Sequence, residues 1–350
     1  MRLWEDKVRK VVPYTPGEQP KIQDIIKLNT NENPYPPAAE VKTALENLDA
    51  DNLRLYPDPA ITDLTQELAR YYGLDFNQVF VGVGSDDVLA MAFMTFFNSN
   101  KPILFPDISY SFYDVWADLF KIPYVRPALK DDFHMDEKDY DRENGGIIFP
   151  NPNAPTGLAE NLEFIENILK NNQDVIVIVD EAYVDFGTES AVSLIDKYEN
   201  LLVVQTFSKS RSMAGMRIGY AMGNADLIKA LSDVKYAFNS YTMSTPAIKL
   251  GIEAVKDDAY FRKNIEKIIR TREDAKVKLK ELGFKFGDSK ANFIFVTHPN
   301  YNAFELFEYL KTQKIYVRHF KANRINDYLR ITIGTDEQME KLYKALREKL

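Results

Sequence analysis

The sequence predicts an α/β protein: a large, doubly wound domain on a mostly parallel sheet, followed by a smaller α+β domain. Two patterns carry this expectation. Short unbroken apolar runs alternate with helical periodicity from about Ile61 onward, and strands apolar on both faces suit a parallel sheet covered by helices on each side. After Pro246 the alternation gives way to a long charged helical stretch and then to short strands again. The chain therefore divides into an extended arm over 1–30, a large domain over 31–246 and a small C-terminal domain over 247–350.

Taken in order, the arm is rich in Pro, Gly and charge. After Pro59, Ile61, Leu64, Leu68 and Tyr72 recur at helical spacing until Gly73 stops them. Val79 to Val83 reads as the first strand, and Gly82-Val83-Gly84-Ser85 turns it into an apolar helix from Val88. Pro102 to Phe105, Gly146 to Phe149, Val175 to Val179 and Leu201 to Thr206 repeat the strand pattern. A charged helical stretch then runs from roughly Ala247 to Leu282 and ends at Gly283 and Gly287. Asn292 to Val296, a helix over Phe304 to Lys311, Ile315 to Arg318, Tyr328 to Ile333 and a final helix complete the chain. Ligands of open parallel sheets sit beyond the carboxyl ends of the strands, so the residues just after each run are the candidates for chemistry.

Composition narrows the classes. A formal net charge of −8 over 350 residues disfavours an extended nucleic-acid surface. With no cysteine in the chain, disulfides, thiolate metal sites and thiol nucleophiles are excluded together. The three histidines, His134, His298 and His319, show no metal-ligand spacing, and no metal is expected. The segment MRLWEDKVRKVVPY is charged throughout, unlike a signal peptide, and Val88 to Phe97 is only half a membrane span. A cytoplasmic protein without membrane contact is expected.

The residues after the fifth apolar run carry the chemistry. Lys209 follows Thr206-Phe207-Ser208, and Arg217 comes eight residues later within Gly215-Met216-Arg217-Ile218-Gly219. Alone, a lysine at a strand end is more often solvated. Flanking hydroxyls and a guanidinium make a phosphate clamp, and a lysine beside such a clamp is placed to condense with a carbonyl. Asp180 ends the run Val175 to Val179; it reads as a helix N-cap or as a buried partner for a ring nitrogen. Tyr183, three residues on, could reach the same ring. The Gly82 to Asp86 turn offers backbone N–H groups at a helix start, a natural anion site. It lacks the third glycine of a dinucleotide fingerprint. Tyr110, after Pro106, suits ring stacking or ordinary packing equally.

Together these pieces resemble the fold-type I enzymes dependent on pyridoxal 5′-phosphate (PLP), in the aspartate-aminotransferase-like class I/II family. Further motifs carry the likeness: Leu28-Asn29-Thr30-Asn31-Glu32-Asn33-Pro34, Arg54-Leu55-Tyr56-Pro57-Asp58, Asn153-Ala154-Pro155-Thr156-Gly157, Asp180-Glu181-Ala182-Tyr183 and Tyr328 to Thr335. They appear in family order and span nearly the whole chain.

The resemblance implies that Lys209 anchors PLP and moves protons, Asp180 pairs with the pyridinium nitrogen, Tyr183 hydrogen-bonds the ring hydroxyl and Tyr110 stacks on the ring. Thr206, Ser208, Arg217 and the backbone of Gly84, Ser85 and Asp86 would hold the cofactor phosphate. Tyr56 would reach the phosphate of a neighbouring subunit, which implies a homodimer with shared sites. Arg330 would bind the anionic end of the substrate, with Arg318 and Tyr14 as helpers. The implied reaction is transamination, with histidinol phosphate as amino donor and 2-oxoglutarate as the 2-oxo acid acceptor. Competing readings are an aromatic amino-acid aminotransferase, a PLP-dependent phosphoamino-acid decarboxylase and, remotely, a non-catalytic cofactor-binding module. One departure stands out: the family has Asn where this chain has Ala154. Asn153, one residue earlier, points elsewhere if the backbone is unchanged, and more of that contact then falls to Tyr183.

Overall fold

Apolar β-branched runs form the centre of the molecule. The computed structural model describes residues 2–15 and 17–350, so Met1 and Pro16 of the expected arm lie outside the described residues. In chain order the first elements are β1 (Ile26–Lys27), α1 (Ala39–Glu46), α2 (Thr62–Tyr72), β2 (Val79–Gly82) and α3 (Ser85–Phe96). Then come β3 (Ile103–Leu104), α4 (Phe112–Phe120), β4 (Tyr124–Val125), β5 (Ile147–Pro150), α5 (Leu162–Asn171), β6 (Val177–Asp180), β7 (Leu201–Thr206), β8 (Gly219–Gly223) and α6 (Ala225–Phe238). The rest is α7 (Thr245–Lys256), α8 (Asp258–Glu281), β9 (Lys285–Phe286), β10 (Phe293–Thr297), α9 (Ala303–Thr312), β11 (Ile315–Tyr316), β12 (Arg318–His319), β13 (Leu329–Thr332) and α10 (Asp336–Lys349).

Seven strands make the large sheet, in the order β2-β8-β7-β6-β5-β3-β4. Only β8 runs against the others, pairing antiparallel with both β2 and β7. Every residue of β5, β6 and β7 is buried, and their side chains alternate between two cores. Ile148, Ile178, Leu202 and Val204 pack with α3, α4 and α6. Ile147, Phe149, Val177, Val179, Leu201 and Val203 pack on the opposite face with residues of α2, α5 and α7. Burial on both faces is why these runs are continuously apolar rather than alternating.

A second sheet, β12-β13-β10-β9, carries α8, α9 and α10 over a third core. The single helical stretch expected from Ala247 to Leu282 is two helices. Asp257 ends α7 and at once caps α8, its carboxylate accepting from the Tyr260 N–H at 3.1 Å. Of the two, α7 packs on α1 and α2 and buries Leu250, Ala254 and Val255 with the large sheet. The strand expected at Ile315 to Arg318 is likewise divided. β11 joins β1 in a separate parallel pair, whereas β12 joins β13. Apolar runs did not reveal β8: its sequence, GYAMG, is two glycines around a short core. Among the described residues no helix is long and apolar enough to cross a membrane.

Candidate active site

The strand ends converge. β6 ends on Asp180 and β7 on Thr206, adjacent parallel strands in register. β8 begins at Gly219 between Thr206 and Gly82, so the loop 207–218 and the turn after β2 lie side by side. Glycine at 219 is required by contact: a Cβ there would lie 2.2 Å from the Gly84 carbonyl carbon and the Ser85 nitrogen. Gly84, at a φ of +88°, brings its backbone against the Arg217 guanidinium, 2.7 Å from where a Cβ would sit.

Between these ends lies a cavity of about 200 Å³. Of the expected residues it is lined by Ser85, Asp86, Tyr110, Asp180, Tyr183, Thr206, Ser208, Lys209 and Arg217, and also by Ala154. Lys209 Nζ donates to the Thr30 carbonyl at 3.1 Å and lies 5.9 Å from the Tyr183 ring centre. At one end are the first turn of α3, Ser208 and Arg217. Arg217 donates to Ser208 Oγ at 3.4 Å and to Asp86 Oδ2 at 3.3 Å. The Asp86 carboxylate also accepts from Tyr110 at 2.7 Å. It bears the same charge as a phosphate, so the favourable contribution of Asp86 to an anion is its backbone N–H.

Asp180 lies at the other end. Burial pushes its pKa up to about 6, against the hydrogen bonds it accepts. A carboxylate sealed beneath a cavity and short of a cation is poised for a protonated ring nitrogen.

Arg330, Arg318 and Tyr14 sit beyond this cavity, on the side of Tyr183. Arg318 and Arg330 face each other across the β12–β13 register. Arg330 donates to the Asn29 carbonyl at 3.0 Å, but its buried Nε has no partner. Burial lowers its pKa and Arg318 lowers it further, while the groups acting the other way are Tyr183 and Tyr14, not a carboxylate. Tyr14 stacks on Phe112 at 4.2 Å, and burial raises its pKa against the pull of the two arginines.

Two expected residues are not brought into the group. Asn153 is buried with its amide donating to the Ile108 carbonyl at 3.0 Å, and it is Ala154 that faces the cavity. The one-residue offset turns the side chains to different sides. Tyr56 is 82% exposed on the outer surface, its ring 4.8 Å from that of Tyr241.

Residues not singled out from sequence complete the site. Asn31, at a φ of +57°, donates to the Tyr183 hydroxyl at 2.9 Å. Asn33 donates to the carbonyls of Lys209 and Ser210, at 3.2 and 3.0 Å. Glu32 lines the cavity, and Tyr113 donates to Asp180 Oδ2 at 2.8 Å. Residues 28–34 stood out as a motif, but not what they touch. Tyr113 could have been found from its spacing, one helical turn beyond Tyr110.

Comparison with known proteins gives the family and the fold. The family described as aminotransferase class I and II matches residues 23–346. A histidinol-phosphate aminotransferase of Brachyspira hyodysenteriae is 54% identical over 336 residues, covering 96% of this chain and 95% of its own. Another, from Lactococcus lactis subsp. cremoris, is 52% identical over 347 residues, covering 99% and 98%. Among solved structures, the histidinol-phosphate aminotransferase of Sinorhizobium meliloti in complex with pyridoxal-5′-phosphate superposes with a TM-score of 0.84 at 24% identity, over 93% of this chain and 92% of that one. The L-threonine-O-3-phosphate decarboxylase of Porphyromonas gingivalis shares the fold too, with a TM-score of 0.78 at 24% identity over 93% and 99%.

Proposed function

The chain belongs to the class I and II aminotransferases, and on that premise we propose that it transfers the amino group of histidinol phosphate to 2-oxoglutarate, a step of histidine biosynthesis. The single observation that carries the choice of donor is the pair Arg318 and Arg330, side by side without a carboxylate acting on Arg330. Two adjacent guanidiniums are matched better by a phosphate dianion than by a single carboxylate.

The family depends on PLP, and the cavity fits it. Arg217, Ser208, Thr206 and the N–H groups at the start of α3 suit its phosphate, Asp180 its ring nitrogen, and the small side chains of Ala154 and Ala182 leave room for the ring beside Tyr110. Bound there, PLP supplies an aldehyde that condenses with amines and a ring that takes up the electron pair left when a Cα proton departs. Lys209 is the anchor. As a free amine, its Nζ would accept the Cα proton and return a proton on the cofactor side. The Asp180 carboxylate holds a proton on the ring nitrogen. The Tyr183 hydroxyl accepts from Asn31, which leaves its own proton to donate to the ring oxygen. Arg330, Arg318 and Tyr14 orient the donor through its phosphate.

Tyr56 and Tyr241, 82% and 48% exposed with ring centres 4.8 Å apart, form an exposed aromatic pair that supports a homodimer in which Tyr56 completes the partner's site. A solution mass of one chain would overturn that. Both proposed substrates are soluble metabolites, and the protein is assigned to the cytoplasm.

The test is a donor panel with the PLP-loaded protein and 2-oxoglutarate. Histidinol phosphate is expected to be used far better than phenylalanine, with no CO₂ released from threonine phosphate. In Arg330→Ala, kcat/KM for histidinol phosphate should fall at least about 30-fold, the effect of removing one partner of a buried charged contact. Equal use of phenylalanine, or CO₂ release, would sink the assignment.

A further inference from the structure

Two donors reach Asp180 among the described residues. The Ala182 N–H meets Oδ1 at 3.3 Å, and the Tyr113 hydroxyl meets Oδ2 at 2.8 Å. The tyrosine makes the stronger contact, and its own surroundings are rigid. It is fully buried on α4, edge-on to Phe105 at 5.8 Å and to Tyr110 at 5.7 Å. Burial raises the phenol's pKa far above its ordinary value, and the Asp180 charge adds to this. The proton therefore stays on the tyrosine, and the bond has one sense: Tyr113 donates, Asp180 accepts. Tyr113 does not line the cavity, so any influence on chemistry passes through the carboxylate.

We infer that Tyr113 is a positioning residue for the cofactor's ring nitrogen: its hydroxyl holds Asp180 charged and oriented, so that the nitrogen opposite keeps its proton. This rests on the proposal that the Lys209 cavity holds PLP. Without the Tyr113 donor the buried carboxylate is a stronger base and draws the proton off the ring, which becomes a poorer electron sink. Other titratable groups near Asp180 are Asp86 on α3, Tyr110 ahead of α4, Tyr183 after β6 and Lys209 after β7. Of these side chains none donates to Asp180 in place of Tyr113.

Tyr113→Phe keeps the ring and removes the donor. In the PLP-loaded variant, the pH midpoint of the visible absorbance of the Lys209-bound cofactor should rise, because an electron-rich ring makes the attached nitrogen more basic. kcat should fall about tenfold or more, as for a lost hydrogen bond to a charged acceptor, with KM for the donor within about twofold since no substrate contact is touched. Added to Asp180→Asn, the same change should cost nothing further, because both act through one carboxylate. A fluorinated tyrosine at 113, a stronger donor of the same shape, should move the midpoint the other way. A Tyr113→Phe protein with the wild-type midpoint and kcat would overturn the inference, as would additive losses in the double variant. If the unaltered protein takes up no cofactor colour, it is the PLP reading that fails, and the role of Tyr113 falls with it.

Discussion

Replacing Lys209 with alanine is expected to lower turnover by at least about 10⁴-fold, the upper range for one general acid–base group, and to abolish the visible absorbance of an amine-bound cofactor. Lys209 is the only lysine among the residues lining the cavity. No neighbour can substitute: Arg217 is engaged by Ser208 and Asp86, and Tyr183 presents a phenol rather than an amine. The variant should still fold, because its loop is held by groups that the substitution spares. Asn33 binds the carbonyls of residues 209 and 210, and Arg211 lies buried within 4.2 Å of the Phe261 ring centre while donating to the Ala254 carbonyl at 2.6 Å. Near-UV circular dichroism checks this, and added small primary amines should restore part of the activity. A Lys209→Ala protein retaining a hundredth of wild-type turnover would remove the lysine from the mechanism.

Asp180→Asn is expected to cost roughly 10²- to 5 × 10³-fold in kcat, the range spanned when one partner of a buried ion pair is lost. Asparagine preserves the volume and can still accept from Tyr113, but it offers no charge to a pyridinium. The same substitution should act oppositely on the protein without cofactor. Burial raises the Asp180 pKa from 3.8 to about 6, so the folded chain binds its proton more tightly than the unfolded chain does. An acid shifted upward contributes stability at low pH and loses it as pH climbs from about 4 to about 6. The loss is on the order of 3 kcal/mol at 1.36 kcal/mol per pH unit. At pH 8, cofactor-free Asp180→Asn should therefore melt above the cofactor-free wild type, although it is nearly inactive. Thermal melts at pH 4 and pH 8 decide it, and equal melting of the two proteins at pH 8 would refute the cost assigned to the carboxylate.

Asp180, Thr206, Ser208 and Lys209 were legible in the sequence because they close or closely follow an apolar run, and strand ends are where an α/β sheet gathers its chemistry; Arg217 was legible from its place eight residues beyond the lysine. What was not legible depends on long-range placement. Thr30 meets Lys209 across 179 positions, and Asn31 meets Tyr183 across 152. No local pattern reports such pairings. β8 escaped for a local reason: Gly219 and Gly223 break the apolar run, yet glycine at 219 is what lets the turn at Gly84 approach. Ala154 shows the limit of motif reading in the other direction. The motif located the segment, whereas the direction each side chain takes was decided by the backbone.

The parallel pair β1–β11 has a consequence for the order of assembly. Ile26 and Lys27 pair with Ile315 and Tyr316, and the residues just beyond are fastened to the same region: the Thr332 N–H donates to the Leu28 carbonyl at 3.0 Å, and the Asn292 amide to the Asn31 carbonyl at 3.0 Å. During synthesis the segment that touches Lys209 and Tyr183 leaves the ribosome long before its partners, which are made nearly 300 positions later. Contacts so distant in sequence form late. The large sheet can close once β8 has emerged, but the lysine acquires its Thr30 contact only when the C-terminal strands have folded. A ribosome-bound chain halted before β11 would thus own every strand of the large sheet and still lack a finished active site.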